Sequence, residues 1–281
     1  MYMGKKQVII ASSIIVALIT TVIIVHRYSA LAQTISIRGI EYDTALTELN
    51  LGNLDLTDAD IKPLKRMKNL KTLILHVNEI SNIGALKKLT NLEVLSISSN
   101  RISDIRPLAK LTNLTQLGMN FNKISDISPL ENMTDLYDLN LCDNTIRDLS
   151  PISNLISLSY LDLEENLIDD IGALGNLANL STLKLGMNEI TGISALARLD
   201  NLSVLSLFGN RINDISSLEH LVNLTVLALG GNEISDIRPL LGLKNLEILA
   251  FDGKLIDTEQ IEWIHDSLAD CHIVVNQMYQ N

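Results

Sequence analysis

The sequence predicts an α/β solenoid: a curved, right-handed superhelix with a parallel β-sheet on its concave side and 3-10 turns and loops on its convex side, preceded by one N-terminal transmembrane or signal helix. Three observations carry this expectation. Asn78, Asn100, Asn122, Asn144, Asn166, Asn188, Asn210 and Asn232 fall at intervals of 22 residues without a slip. Leu70, Leu92, Leu114, Leu136, Leu158, Leu180, Leu202, Leu224 and Leu246 keep the same interval. The stretch Val8 to Val25 runs for 18 residues without a charge, Pro or Gly.

Composition narrows the core and the partners. Hydrophobic residues make up 47% of the 281 but aromatics only 4%, so the core must be aliphatic, which suits a repeated Leu-based unit. The net charge is −11, and residues 1–27 hold Lys5, Lys6 and Arg27 with no acid. Setting those three aside leaves 19 basic against 33 acidic residues, or −14 for the rest. So acidic a surface disfavours nucleic acid, which is bound by basic groups that displace counterions from phosphates. It is also repelled by anionic lipid headgroups.

The N-terminal segment reads in two ways. As a helix, Val8–Val25 spans roughly 27 Å, close to the ~30 Å hydrocarbon core of a bilayer. Lys5 and Lys6 precede it, so the positive-inside rule leaves residues 1–7 as a short cytoplasmic tail and puts the remainder outside. Ala30-Leu31-Ala32 before Gln33 also fits a signal-peptide cleavage site. The expected location is therefore the cell membrane, single-pass with the repeats outside, or alternatively secretion after cleavage following Ala32.

The unit itself is shown by LTQLGMNFNKISDISPLENMTD, Leu114 to Asp135. Its consensus LxxLxLxxNxIxxIxxLxxLxx is leucine-rich-repeat spacing. Alternation in LxLxxN turns Leu117 and Met119 inward and their neighbours outward, as in a strand. Asn122 falls where the chain turns, where an amide can satisfy backbone groups of its own and adjacent turns. The eight Asn are thus expected to form a structural ladder. The following IxxIxxLxxL has the three-residue period of a 3-10 turn. Asp104, Asp126, Asp148, Asp170, Asp214 and Asp236 lie four residues after a ladder Asn, suited to capping that turn. All five prolines (Pro63, Pro107, Pro129, Pro151, Pro239) occupy one repeat position, where a turn starts without needing an N–H.

A single unit buries too little to fold alone, so the ends need caps. Residues 26–45 read as linker and N-terminal cap, with Ile35–Gly39 alternating as a covering strand. The solenoid runs over residues 46–256 in about ten repeats. Its first unit, Leu46 to Asn69, is two residues longer and has Leu54 at the Asn position. Residues 257–281 read as a C-terminal cap: a helix from Thr258 through Leu268, N-capped by Asp257 or Thr258, then a strand over His272–Val275. Cys142 and Cys271 lie about six strand layers apart, roughly 29 Å against the ~7 Å limit for a disulfide, and are read as free thiols.

With its 22-residue unit and its repeated Ser-Asp-Ile-x-Pro-Leu (Ser103–Leu108, Ser125–Leu130, Ser235–Leu240), the chain resembles the internalin-type bacterial leucine-rich-repeat proteins over about residues 46–256. The resemblance implies a surface-exposed or extracellular protein that binds other proteins on its concave face. The helical cap domain, Ig-like domain, sorting signal and GW-type wall module of that class are not read in this sequence. Protein-phosphatase regulatory subunits carry a similar repeat but are cytosolic, against which Val8–Val25 argues.

Outward strand residues are where a ligand of a solenoid would sit. Repeats four to six offer Gln116, Asn120 and Phe121, then Tyr137, Asp138, Asn140, Cys142 and Asp143, then Tyr160, Asp162, Glu164 and Glu165. Five acids and three aromatics suggest a docking site for a basic, partly apolar protein surface, with Phe121, Tyr137, Tyr160 and Phe208 as anchors. The competing reading is a solvated face whose aromatics merely suit strands.

Other signals are weaker. Five sequons occur, at Asn113, Asn132, Asn179, Asn201 and Asn223, and four of these Asn are the repeat's own turn residue. His265, Cys271 and His272 have irregular spacing for a metal site. Asp162, Glu164 and Asn166 lack the Gly and terminal Glu of a calcium loop. No Ser-His-Asp or Cys-His set and no phosphate loop is evident, so no enzyme activity, cofactor or metal is expected. The expected function is an extracytoplasmic, non-enzymatic protein-binding scaffold. A structural envelope-organising protein and a regulatory subunit of an enzyme are the alternatives, and the oligomeric state stays open.

Overall fold

The structure is a computed structural model that describes residues 33–276. The Val8–Val25 segment and the Ala32 cleavage site lie outside these residues. Among the described residues no helix is long and apolar enough to cross a membrane.

Eleven parallel strands form one sheet in strict chain order, from β3 (Glu48–Asn50) to β13 (His272–Asn276). Between them β4 (Thr72–Ile74), β5 (Val94–Ser96), β6 (Gln116–Gly118), β7 (Asp138–Asn140), β8 (Tyr160–Asp162), β9 (Thr182–Lys184), β10 (Val204–Ser206), β11 (Val226–Ala228) and β12 (Ile248–Asp252) come one per repeat. Register follows the period: Leu117 pairs with Leu95 and Leu139, each in the middle of its triplet. These middle leucines are buried and their two neighbours face out. A 3-10 turn closes each repeat, as at Arg106–Leu108, Ser128–Leu130 and Ser150–Ile152, each with Pro in its first turn.

Where the turn is preceded by Asp, at Asp104, Asp126, Asp148, Asp170, Asp214 and Asp236, its side chain accepts from the backbone N–H two residues on. Asp104 takes that of Arg106 at 3.0 Å and Asp148 that of Ser150 at 2.8 Å. The bond falls on the first residue of the turn rather than deeper in it, because the formal cap is the buried Ile or Leu in between. The core is a continuous column of Leu and Ile, and Phe251 is its one buried aromatic among the described residues.

The ladder Asn side chains stitch neighbouring repeats. Asn144 Nδ2 reaches Met119 O of the preceding repeat at 3.1 Å, and Leu141 O and Cys142 O of its own at 3.0 and 3.2 Å. Its Oδ1 accepts the Ile124 N–H at 2.9 Å. Asn100, Asn122, Asn166, Asn188 and Asn210 repeat the same four bonds. Asn232 donates to Leu207 O and Leu229 O and accepts from Ile212 N. In the first repeat, where Leu54 replaces the Asn, Asn78 Oδ1 takes the N–H groups of both Leu54 and Leu56. A second row, not anticipated as a ladder, runs through the turn residue just before each repeat. Asn91, Asn113, Asn179, Asn201, Asn223 and Asn245 each donate to the carbonyl 23 residues earlier, at 2.8–2.9 Å. This bond gives four of the sequon asparagines a structural role.

Two features of the N-terminal cap differ from expectation. Thr34–Ile37 (β1) does not join the main sheet. It pairs antiparallel with Ile40–Asp43 (β2), Ile37 opposite Ile40. The connecting Arg38 and Gly39 both have positive φ, 48° and 82°, as a two-residue type I′ hairpin demands. The hairpin still covers the end, since Ile35 and Ile37 are buried in the core and Arg38 donates to Leu54 O and Asp55 O. Leu46, at the position buried in every later repeat, is 38% exposed because no repeat precedes it. At the other end α1 (Thr258–Ser267) is N-capped by Asp257, whose side chain accepts from Gln260 N. Gln260 also bridges to the ninth repeat through Ser235 O and Ile237 N. Both cysteines are free.

Candidate ligand-binding face

Each repeat presents the two outer residues of its strand triplet, a seventh residue beyond them and an eighth at the rim. That eighth residue must turn out of the strand while its N–H still reaches the next repeat, as Phe121 N reaches Cys142 O at 2.9 Å. The conformation that does both has positive φ. It is adopted by Val77 (54°), Ser99 (54°), Phe121 (56°), Asp143 (51°), Glu165 (55°) and Met187 (54°), and by glycine at Gly209 and Gly231. Glycine enters this region freely, whereas a side chain costs about 1–2 kcal/mol there.

The sequence-selected residues separate into three groups. Asp162 does not sit in a solvated patch: it is 4% exposed. Its oxygens accept from Lys184 Nζ, the Tyr160 hydroxyl and the Glu164 N–H, each at 3.2 Å. Lys184 stands one strand over, 22 residues on, with its Nζ 5.6 Å from the Tyr160 ring centroid in cation–π range. Burial opposes the ammonium charge, yet Tyr160 and Asp162 outweigh it and raise the Lys184 pKa. Burial, then Asp162, pushes the Tyr160 hydroxyl up as well. Asp162, Tyr160 and Lys184 therefore form a closed structural cluster.

A second group is partly engaged. Glu164 accepts from Ser206 Oγ two repeats away at 2.7 Å. Phe208 lies over Gly186, where no side chain could coexist with its ring, and is half-buried. Tyr137 precedes its strand and flanks the sheet, its hydroxyl accepting from Gln116 Nε2 at 2.5 Å. Asp138 is half-buried, and burial raises its carboxyl pKa.

The third group is free. Phe121 is 48% exposed and Met187 51%. Between them on the rim stand Asp143 and Glu165, neither with an ion-pair partner among the described residues. Their field shows at Cys142, beside them, whose thiol is pushed up to about 12 by burial and by Asp162, Glu165, Glu164 and Asp143. Phe121, Asp143 and Glu165 are among the candidates that the sequence offers, and Met187 is not; the recurrence of residue eight at the same rim position is the signal that finds it. Among the described residues no group of three or more His, Cys, Asp or Glu is arranged to hold a metal.

The stacked strand-and-turn unit with its Asn ladder defines a leucine-rich-repeat solenoid. Family models described as "Leucine rich repeat" match residues 44–102 and 157–212, and one described as "Leucine Rich repeats (2 copies)" matches residues 90–132. Among solved structures, an internalin (InlF) from Listeria monocytogenes is 30% identical, with a TM-score of 0.71 over 85% of this chain and 84% of that one. Internalin C2 from the same organism is 29% identical, with a TM-score of 0.59 over 77% and 87%. The plant peptide hormone receptor RGFR1, in complex with RGF2, shares the fold at 24% identity and a TM-score of 0.68, over 83% of this chain and 40% of the receptor chain. No curated protein sequence matches the chain. The chain belongs to the internalin-type leucine-rich-repeat family.

Proposed function

We propose that the chain is a non-enzymatic scaffold that binds a protein ligand on the outward face of its sheet, along the rim of repeats four to seven. Leucine-rich-repeat domains are commonly protein-interaction scaffolds, and the internalin likeness supports that role here. One observation carries the placement: exposed Phe121 and Met187 bracket Asp143 and Glu165, which have no ion-pair partner among the described residues, on a surface that no other described element covers. A partner with cationic and apolar side chains complements such a rim, burying the apolar pair and neutralising the acids. In this reading the repeats lie outside the cytoplasm, held by the Val8–Val25 segment or released after Ala32.

The test is affinity capture with the full chain beside an Asp143→Asn/Glu165→Gln variant, against envelope and extracellular protein extracts. These two acids are chosen because their replacement leaves the Asp162–Lys184 pair intact. A protein retained by the parent and lost by the variant supports the reading. Equal retention by both removes it.

A further inference from the structure

The rim has a spacing that specifies more than charge. Phe121, Asp143, Glu165 and Met187 occupy the same position in four successive repeats, so their backbones are spaced by the strand separation of about 4.8 Å. Phe121 and Met187 are thus about 14 Å apart, with the two carboxylates about 5 and 10 Å along. An extended polypeptide advances about 3.3 Å per residue and shows every second side chain to one side. Residues i and i+4 of such a segment lie about 13 Å apart, and residue i+2 falls about 7 Å along, between the carboxylates. All three project from the same side.

Resting on the proposed function above, the geometry points to an extended peptide segment lying across the strands, with an apolar residue, then Lys or Arg two residues on, then a second apolar residue two further. The apolar residues seat against Phe121 and Met187, and the cation is shared by Asp143 and Glu165. Met187 suits this role, since its flexible thioether side chain now lies over Gly209 and adapts to what it meets. Backbone conformation is consistent with it: the same rim position takes glycine in repeats eight and nine, while these four keep side chains. Lys184, a cation on the same face, does not fill the site, being held at Asp162.

The experiment displays a random nine-residue peptide library against the immobilised full chain, then measures two synthetic peptides, Ser-Leu-Ser-Arg-Ser-Leu-Ser and its isomer Ser-Leu-Arg-Ser-Ser-Leu-Ser. Enrichment of apolar-x-Lys/Arg-x-apolar is expected. The first peptide should bind at least about fivefold more tightly than the isomer, and Asp143→Asn/Glu165→Gln should weaken it about tenfold or more, on the order of 1.4 kcal/mol. Enrichment without a cation, another spacing, equal binding of the two peptides, or no enrichment overturns the proposal. If a folded partner is still captured through Asp143 and Glu165 while no peptide motif emerges, the extended-segment proposal falls and the binding face stands.

Discussion

Lys184 and Asp162 face each other across adjacent strands, Nζ to Oδ2 at 3.2 Å, with the carboxylate almost wholly buried and the ammonium about one-third exposed. Asp162 and its two neighbours in the cluster are therefore engaged with one another, and the surface proposed for a ligand is the rim beside them. Replacing Lys184 by Met would leave Asp162 buried without its counter-charge. The expected loss is about 2 kcal/mol, below the ~3–5 of a fully buried pair because Lys184 is partly solvated. Urea unfolding measures it, and Asp162→Asn in the same background should recover about half. A Lys184→Met chain as stable as the parent would show that the pair contributes nothing.

The Asn ladder should be graded along the solenoid. Asn166 is buried and makes four bonds to two repeats. Asn166→Ala strands those backbone groups and should cost about 3 kcal/mol, from several lost bonds at ~0.5–1.5 each plus unsatisfied partners. Asn232 is less buried and lies near the C-terminal cap, so Asn232→Ala should cost about half as much. Denaturant midpoints of the two variants decide, and equal losses would contradict the gradient.

Backbone strain at the rim gives a prediction of opposite sign. Val77 is β-branched, 46% exposed and at φ 54°, where Asn is far better tolerated. Val77→Asn should therefore stabilise the chain by about 0.5–1 kcal/mol. A lowered unfolding midpoint would mean that Val77 packs more than its exposure implies.

Cys142 should be slow to alkylate. With its thiol pushed up to about 12, its thiolate fraction at pH 8 is roughly a thousand times or more smaller than that of an ordinary cysteine near 8.5. Iodoacetamide labelling followed by mass spectrometry should show Cys142 reacting at least a hundredfold more slowly than free glutathione. Asp143→Asn/Glu165→Gln should speed it by weakening the acidic field. Labelling as fast as glutathione would contradict that environment.

Acid should loosen the convex turns. Hydrogen bonding from the Arg106 side chain holds the Asp104 carboxyl at about 2, and Arg238 does the same for Asp236. Groups depressed in the folded state stabilise it fully above their unfolded value near 3.9 and lose that contribution as pH falls toward 2. The thermal midpoint should therefore drop across that window, less steeply in Asp104→Asn/Asp236→Asn. Asp138 works the other way: burial raises its folded pKa, so its ionisation opposes folding at neutral pH. Asp138→Asn should raise the midpoint at pH 7. An unchanged acid limb in the first variant, or a lower midpoint in the second, would contradict these assignments.

Most of the fold was readable because one 22-residue period fixes strand, turn and ladder together: Leu117, Asn122 and Asp126 each has one structural task repeated down the chain. The ends were less readable because they break the period. Ile40–Asp43 alternates as Ile-Glu-Tyr-Asp but over four residues only, too short a run to stand out beside the 22-residue period, and the Arg38-Gly39 turn is the other mark of the hairpin. The candidate site was legible by position but not by exposure. Whether Asp162 faces solvent depends on what stands 22 residues later, and Lys184 becomes visible as its partner only when residues are compared across repeats. The rim residues Phe121, Asp143 and Glu165 have no ion-pair partner 22 residues on among the described residues, and they stay the residues proposed to meet a ligand.

Photocrosslinking tests the binding face most directly. A benzoylphenylalanine placed at residue 121 of the full chain, in cells that express it, is compared with one at Ile156, an exposed residue in the convex-side turn after the fifth repeat's 3-10 segment. Irradiation should yield a discrete protein adduct from position 121 that is absent from position 156 and lost with Asp143→Asn/Glu165→Gln. An adduct from position 156 alone, or from neither position, would contradict a ligand on this rim.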